Sequence, residues 1–427
     1  MKNLKRITAC SLLAGLVFTS CQDEKVENDV VESLVSPVEI EGEIIEGSYI
    51  IMLDNKIKPT SELLSNKSFT SRDAKSKASR DIAVETVKQI KSTLSISDFD
   101  QTKVSNYYTS QFTGVSVEDI SQEELVALSK NPAVASIHYD QIVPNPMDDV
   151  IVEEAETKSG FSTKMAQRVP CGINRAGGFV NSAGAKSWIW IIDTGIDLDH
   201  PDLNVITDRR YARSFVGSSP DDCNGHGTHV AGSAAAKNNG FGVVGVSAGA
   251  PVVPVRVFGC RGGASSSAIL AAINHVGAND LPGDVVNMSL GGFIGSRCAA
   301  TSPYRSALIR MGNNNTRIAL AAGNSSRNAS NDSPACINGN NIFTVASMTC
   351  NFDFSGFSNF GRPTVDVIAT GSSVLSTWPG GRYNTISGTS MASPHVAGIL
   401  HARKGAPLSG GNLRNRGQNY PVAVVRR

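Results

Sequence analysis

The sequence predicts an α/β protein with a parallel central sheet, preceded by a small α+β unit. Three observations predict it. From Ser187 onward, short apolar runs alternate with stretches of small residues, the pattern of buried parallel strands and closely packed helices. Ahead of them the runs read strand, helix, strand, strand, helix, strand, which is a ferredoxin-like unit. The two parts also differ in charge: 26 acidic and 13 basic residues lie between Gln22 and Gly160, but 12 and 23 from Phe161 onward. Parts of opposite charge attract each other, although two independently solvated surfaces give the same count. At 427 residues the chain can bury more than one core. Its basic residues are scattered rather than clustered, so no nucleic-acid role is expected.

Each stretch has its own reason. Residues 1–20 carry Lys2, Lys5 and Arg6 and then an apolar run too short to span a membrane, which reads as an export signal. Phe18-Thr-Ser-Cys21 puts small residues before a cysteine and resembles a bacterial lipoprotein cleavage box. Cys21 is therefore a candidate for lipidation, the alternative being ordinary signal cleavage with Cys21 incidental. Residues 21–47 are acidic and polar and read as a tether. Residues 48–140 make the ferredoxin-like unit, with strands expected at 48–53, 104–109, 112–118 and 134–139 and helices at 80–94 and 121–130. Residues 141–165, with Pro144, Pro146 and an acidic run, read as a linker and processing zone. Residues 166–427 form the larger unit. Strands are expected there at 251–258, 284–290, 318–322, 341–347 and 365–368, and helices at 268–276 and 306–311. The tail from Gly405 onward suggests no role. No later stretch is apolar and long enough to cross a membrane.

Three stretches carry chemistry. Ser187-Trp-Ile-Trp-Ile-Ile-Asp193 is a buried strand that delivers a carboxylate at its C-terminal edge, where open parallel sheets bind ligands. Asn224-Gly-His-Gly-Thr-His-Val-Ala-Gly232 places His226 between glycines at the start of a small-residue helix. Gly388-Thr389-Ser390-Met391-Ala392 places a serine at a helix N-terminus, where unpaired N–H groups favour a developing anion. A serine there by itself is as readily a simple N-cap. Asp, His and Ser in this chain order are one of the convergent arrangements that activate a serine for acyl transfer.

These blocks, with Leu320-Ala-Ala-Gly-Asn324, resemble the subtilisin-like serine proteases and most of all their proteinase K branch. The resemblance implies a three-layer subtilisin-like fold and a secreted or lipid-anchored serine endopeptidase. Asp193, His226 and Ser390 would form its catalytic triad, and Asn324 would be its oxyanion donor. It also implies that an extended substrate lies between Ser289-Leu290-Gly291 and Gly262-Gly263-Ala264. The unit at 48–140 would be a propeptide that inhibits in cis until the zymogen processes itself; a generic binding module of the same fold is the alternative. Gln167-Arg-Val-Pro-Cys171 resembles the mature N-terminal segment, with Cys171 where a Trp is frequent, and Ala369-Thr370-Gly371 departs from the usual Ala-Pro-Gly.

Of eight cysteines, six fall in the larger unit, and export permits disulfides. The resemblance suggests a Cys223–Cys260 bridge; Cys336 with Cys350 is expected as a second, and Cys171 and Cys298 have no expected partner. Catalysis would need no cofactor. Structural calcium is compatible with the family, but Asp197, Asp199 and Asp202 read as solvated surface, so no metal ligands are assigned. The expected partners are protein or peptide substrates and the chain's own propeptide. A membrane would be met only through Cys21, and the protein is expected to be a monomer. Its precursor would reach the outer membrane or cell surface of a bacterium, and the mature enzyme the periplasm or exterior.

Rival readings fail on composition. Asp193-Thr-Gly195 matches an aspartic-protease tripeptide, but no second copy supplies the partner carboxylate. His226 and His229 could pair on a metal, but the glutamate base of the helical zinc motif is missing and no Glu follows Glu156. An α/β-hydrolase elbow at Ser390 needs an acid downstream, and none follows. A catalytically inactive binding protein on a protease scaffold is the remaining alternative.

Overall fold

The computed structural model describes residues 35–36, 42–153, 166–294 and 298–426. The expected export signal, Cys21 and most of the expected tether lie outside the described residues.

The first unit contains β1 (Ile44–Leu53), α1 (Arg72–Leu94), β2 (Val104–Tyr108), β3 (Gly114–Val117), α2 (Gln122–Ser129) and β4 (Val134–Val143). Its antiparallel sheet runs β4-β1-β3-β2, and Ile51, Leu53, Ile90, Leu94, Val115 and Leu125 fill the core beneath the helices. The boundaries differ from the expected ones for local reasons. β1 starts inside the stretch read as tether. α1 begins at Arg72 rather than residue 80, because the Ser71 side chain caps it by accepting from the Ala74 N–H. Its first turns looked unlike a core helix because they bury Arg72, Ser76 and Ser79. β4 runs four residues beyond the expected end at 139, since Ile142 and Val143 pair with Ser265 and Ala264 of the second unit. Beyond β4, the short strand β5 (Ile151–Val152) falls within the expected linker.

In the second unit, β6 (Ile189–Asp193) is followed by α3 (His226–Ala235), β7 (Pro251–Arg256), β8 (Ala264–Ser265) and α4 (Ser266–Asn279). Then come β9 (Val285–Met288), α5 (Pro303–Asn313), β10 (Arg317–Ala321), β11 (Ile342–Met348), β12 (Val367–Thr370), β13 (Arg382–Ser387) and α6 (Thr389–Arg403). A hairpin of β14 (Leu408–Asn415) and β15 (Gln418–Val424) follows. The central sheet runs β14-β15-β12-β11-β10-β9-β6-β7, and its pairings from β15 to β7 are parallel. The tail thus has a role that its composition did not suggest: it completes one edge of the sheet, burying Leu413, Tyr420 and Val422.

The order of the strands locates the site. β6 precedes both of its neighbours, with β7 on one side and β9 on the other, so strand order reverses there. Ligands bind beyond the C-terminal ends of the strands at such a point. The small residues of the helices let them pack close by. A Cβ on Gly398 of α6 would lie 2.8 Å from the Ala234 carbonyl oxygen, and one on Gly232 of α3 would lie 2.2 Å from Thr377 Oγ1.

The two units meet over α4. Asp140 accepts from the Ser267 N–H at the N-terminal end of this helix, where a negative charge is favoured. At the other end Arg72 donates to both carboxylate oxygens of Asp284 at 2.6 and 3.0 Å and to the Asn279 carbonyl at 2.8 Å. Midway, Asn274 Oδ1 accepts the N–H groups of Ser110 and Gln111.

Cys223–Cys260, Cys171–Cys350 and Cys298–Cys336 are bridged. The expected Cys336–Cys350 bridge is therefore not made. Those two cysteines are close in sequence, but β11 runs between them, and its seven residues carry the chain about 23 Å along the sheet.

Candidate active site

Asp193 ends β6 and is fully buried. Its Oδ1 accepts from the Thr194 N–H at 2.7 Å and lies 2.8 Å from His226 Nδ1. The carboxylate thus holds the hydrogen of Nδ1, which leaves Nε2 as the basic nitrogen. His226 opens α3, and the glycines beside it let it do so. Gly225 adopts φ +112°, and a Cβ there would lie 2.3 Å from the Trp378 ring. A Cβ on Gly227 would lie 2.1 Å from the Gly195 carbonyl oxygen. Asp222, which sequence reasoning did not single out, organises this turn. Its carboxylate accepts from the N–H groups of Asn224, Gly225 and Thr228 and from the Thr194 and Thr228 hydroxyls. Its one sequence signal was an Asp two and three residues ahead of the N–H groups it binds, the spacing of an Asx turn.

Ser390 sits in the first turn of α6, which is buried through His401. Pro394 has no N–H to give the Ser390 carbonyl, and the Ser289 hydroxyl donates to it instead at 2.8 Å. Ser390 Oγ in turn donates to the Ser289 carbonyl at 3.4 Å, while His226 Nε2 is buried without a partner. Serine and histidine thus lie on facing elements without a hydrogen bond between them; catalytic contacts of this kind often tighten only with substrate in place.

Asn324 follows β10 across a Gly323 that holds φ +100°. Its Oδ1 accepts from the Thr389 N–H and hydroxyl, each at 2.8 Å. That fixes which end of the amide faces outward: Nδ2 points away from α6 and donates to the Asp149 carbonyl at 3.2 Å. Thr389 is thus a second residue that the motifs did not reveal.

The expected substrate edges are distinct. Ala264 pairs with Val143, the Gly262 carbonyl accepts from Asn145 Nδ2 at 2.8 Å, and a Cβ on Gly263 would lie 2.2 Å from the Val143 carbonyl oxygen. That edge is therefore occupied by the chain's own β4. Ser289, Leu290 and Gly291 line a pocket beside Ser390 and Asn324, and Pro144, Pro146 and Asp149 line it too. Arg327 and Asp332 stand on its wall, Nε 3.4 Å from Oδ2. Burial is the main cause that pushes the Asp332 carboxyl up to about 6.

The other carboxylates and histidines are engaged elsewhere. Asp197 and Asp202 are buried rather than part of the expected solvated surface, because the fold supplies donors to them. Asp197 accepts from the N–H groups of Gly380 and Gly381, and Asp202 from the Val243 N–H and Asn239. His229 Nε2 donates to the Val374 carbonyl, and burial pushes this imidazole down to about 3. Among the described residues no group of three or more His, Cys, Asp or Glu side chains is arranged to hold a metal ion.

A parallel α/β sheet with these side chains at the reversal of its strand order defines the class of subtilisin-like hydrolases. The chain belongs to the Subtilase family, whose family model matches residues 184–405, and it is a serine endopeptidase. An extracellular serine proteinase of Thermus sp. is 35% identical over 299 residues, covering 69% of this chain and 67% of its own. The subtilisin-like serine protease AsES of Sarocladium strictum is 38% identical over 303 residues, covering 70% and 72%. A crystal structure of a cold adapted subtilisin-like serine proteinase is 31% identical with a TM-score of 0.48, covering 58% of this chain and 91% of that one.

Proposed function

We propose that the protein is an exported zymogen that hydrolyses peptide bonds through Asp193, His226 and Ser390. His226 Nε2 takes the Ser390 proton as Oγ attacks the carbonyl, then passes it to the leaving amine. Asp193 holds the imidazole in the required tautomer and stabilises its cation. Asn324 Nδ2 and the Ser390 N–H receive the oxyanion. The observation that supports this most directly is the buried 2.8 Å contact between His226 Nδ1 and Asp193 Oδ1, because it leaves Nε2 free to act as base. An extended peptide would pair with Gly262–Ala264 on one side and Ser289–Gly291 on the other. The first unit, seated on the first of these edges, acts as the inhibitory propeptide.

Labelling with a fluorophosphonate after removal of the first unit tests the reading, with Ser390→Ala as control. Wild type should label and cleave a peptide library. A folded wild type that does neither is an inactive scaffold. Export and lipid attachment at Cys21 are part of the proposal and rest on the sequence alone. The lipid would stay with the propeptide, so processing would free the enzyme from the membrane. Mature wild-type enzyme that remains with the membrane on fractionation would refute that release.

A further inference from the structure

The chain passes across the candidate site, and its contacts single out one peptide bond there. Ahead of that bond, Ile142 and Val143 pair antiparallel with Ser265 and Ala264. Behind it, Ile151 and Val152 pair antiparallel with Ser387 and Ile386, just before Gly388 and the Ser390 helix. Between these anchors the Asp149 carbonyl accepts from Asn324 Nδ2 at 3.2 Å. The next residue is at the same spot: a Cβ placed on Gly388 would lie 3.4 Å from both Val150 Cγ2 and Asn324 Nδ2. Among the described residues, Asn324 Nδ2 donates to no other carbonyl. Asp149 also lines the pocket beside Ser390 and Asn324.

We infer that the Asp149–Val150 bond is the one this protein cuts in itself, within a single molecule. The inference rests on the catalytic roles proposed above and adds the identity of the first substrate. Ser390 Oγ bonds to the Asp149 carbonyl carbon while its proton passes to His226 Nε2, and the carbonyl electron pair moves onto the oxygen beside Asn324. Collapse breaks the bond to the Val150 nitrogen, which takes the proton from His226. Water then adds to the ester, losing a proton through His226, and releases the Asp149 carboxylate and the Ser390 hydroxyl. Two adjustments precede attack. Ser390 Oγ must rotate from the Ser289 carbonyl, which it meets at 3.4 Å. The turns closed by Asp148 N–H on Asn145 and by Val150 N–H on Met147 must open, because a substrate lies extended.

The test is to purify the full chain as wild type, Ser390→Ala and Asp193→Asn and to sequence every new terminus by mass spectrometry. Wild type should yield a fragment ending at Asp149 and another beginning at Val150, with a half-life unchanged by ten-fold dilution. Asp193→Asn should give the same ends far more slowly, and Ser390→Ala should stay whole at this bond. A Ser390-dependent cut elsewhere, after Met147 or within 154–165, overturns the inference, as does a half-life that lengthens on dilution. Fluorophosphonate labelling of the same samples separates the two readings. A labelled chain uncut at 149–150 overturns the bond alone, and a chain neither cut nor labelled overturns both.

Discussion

Arg72 of α1 lies across Trp188 of the larger unit, its guanidinium carbon 3.7 Å from the ring centroid, and grips both oxygens of the buried Asp284. The ion pair is nearly closed to water, Arg72 being 7% exposed and Asp284 0%. Removing one partner of such a pair leaves a buried charge without compensation and costs about 3–5 kcal/mol. Asp284 keeps the N–H groups of Trp188, Leu281 and the Trp190 indole, which places Arg72→Met at the lower end, about 3 kcal/mol. Denaturant unfolding of the uncut Ser390→Ala chain, followed by tryptophan emission, would measure it. An unchanged midpoint would mean that the ion pair does not hold the units together.

Asp193→Asn should leave the fold intact and lower turnover about 10⁴-fold, because the amide can present a donor to Nδ1 and favour the wrong tautomer. Peptide hydrolysis with matched circular dichroism checks this. A loss under about ten-fold would remove the carboxylate from the mechanism.

Asn324→Leu should lower kcat by about 10²- to 10³-fold with KM little changed, since an oxyanion donor acts on the transition state. Thr389→Val should lose a smaller part of the same activity, because one of the two Thr389 groups bonded to Asn324 Oδ1 is its hydroxyl. Steady-state kinetics of the processed enzymes would show the split. A rise in KM alone would make Asn324 a binding residue.

Peptide mapping without reduction should recover linkages 171–350, 223–260 and 298–336 and no 336–350 peptide. Cys171→Ser opens a separation of 179 residues and Cys298→Ser one of 38. On the chain-entropy model these bridges stabilise by about 5 and about 4 kcal/mol, so thermal unfolding should show both variants clearly weakened, the first at least as much.

His275 donates through Nε2 to the Tyr211 carbonyl between Trp190 and Phe215, and burial pushes its imidazole down to about 4. Its unfolded-state value is about 6.5. Between those values the unfolded chain holds a proton that the folded chain lacks, so acidification removes stability, about 1.4 kcal/mol per pH unit for one group. His275→Phe on the Ser390→Ala background should therefore lose less stability than its parent from pH 6.5 to pH 4.5. Parallel curves for the two would refute the buried neutral imidazole.

The blocks that carry Asp193, His226, Asn324 and Ser390 stand out in the sequence because their neighbours are local requirements. Gly225 and Gly227 must lack side chains for α3 to begin against Asp193, and the strand before Asp193 must be apolar because it is buried on both faces. Thr389 and Asp222 were not legible. Each acts through hydrogen bonds to groups on neighbouring turns, and nothing in the residue type says which N–H or amide it will meet.

The sequence by itself determined most of the elements and the order of the motif blocks, since propensity, turn chemistry and burial of a strand or helix act over a few residues. Only the tertiary structure decided what depends on contacts across many residues. It set Cys336 against Cys298 rather than Cys350, drew the tail into the sheet as β14 and β15, and extended β4 to meet Ala264. It also brought the Asp149 carbonyl to Asn324, 175 residues away in the chain. A partner at that separation is chosen by the packing of the whole sheet, and no local pattern encodes it.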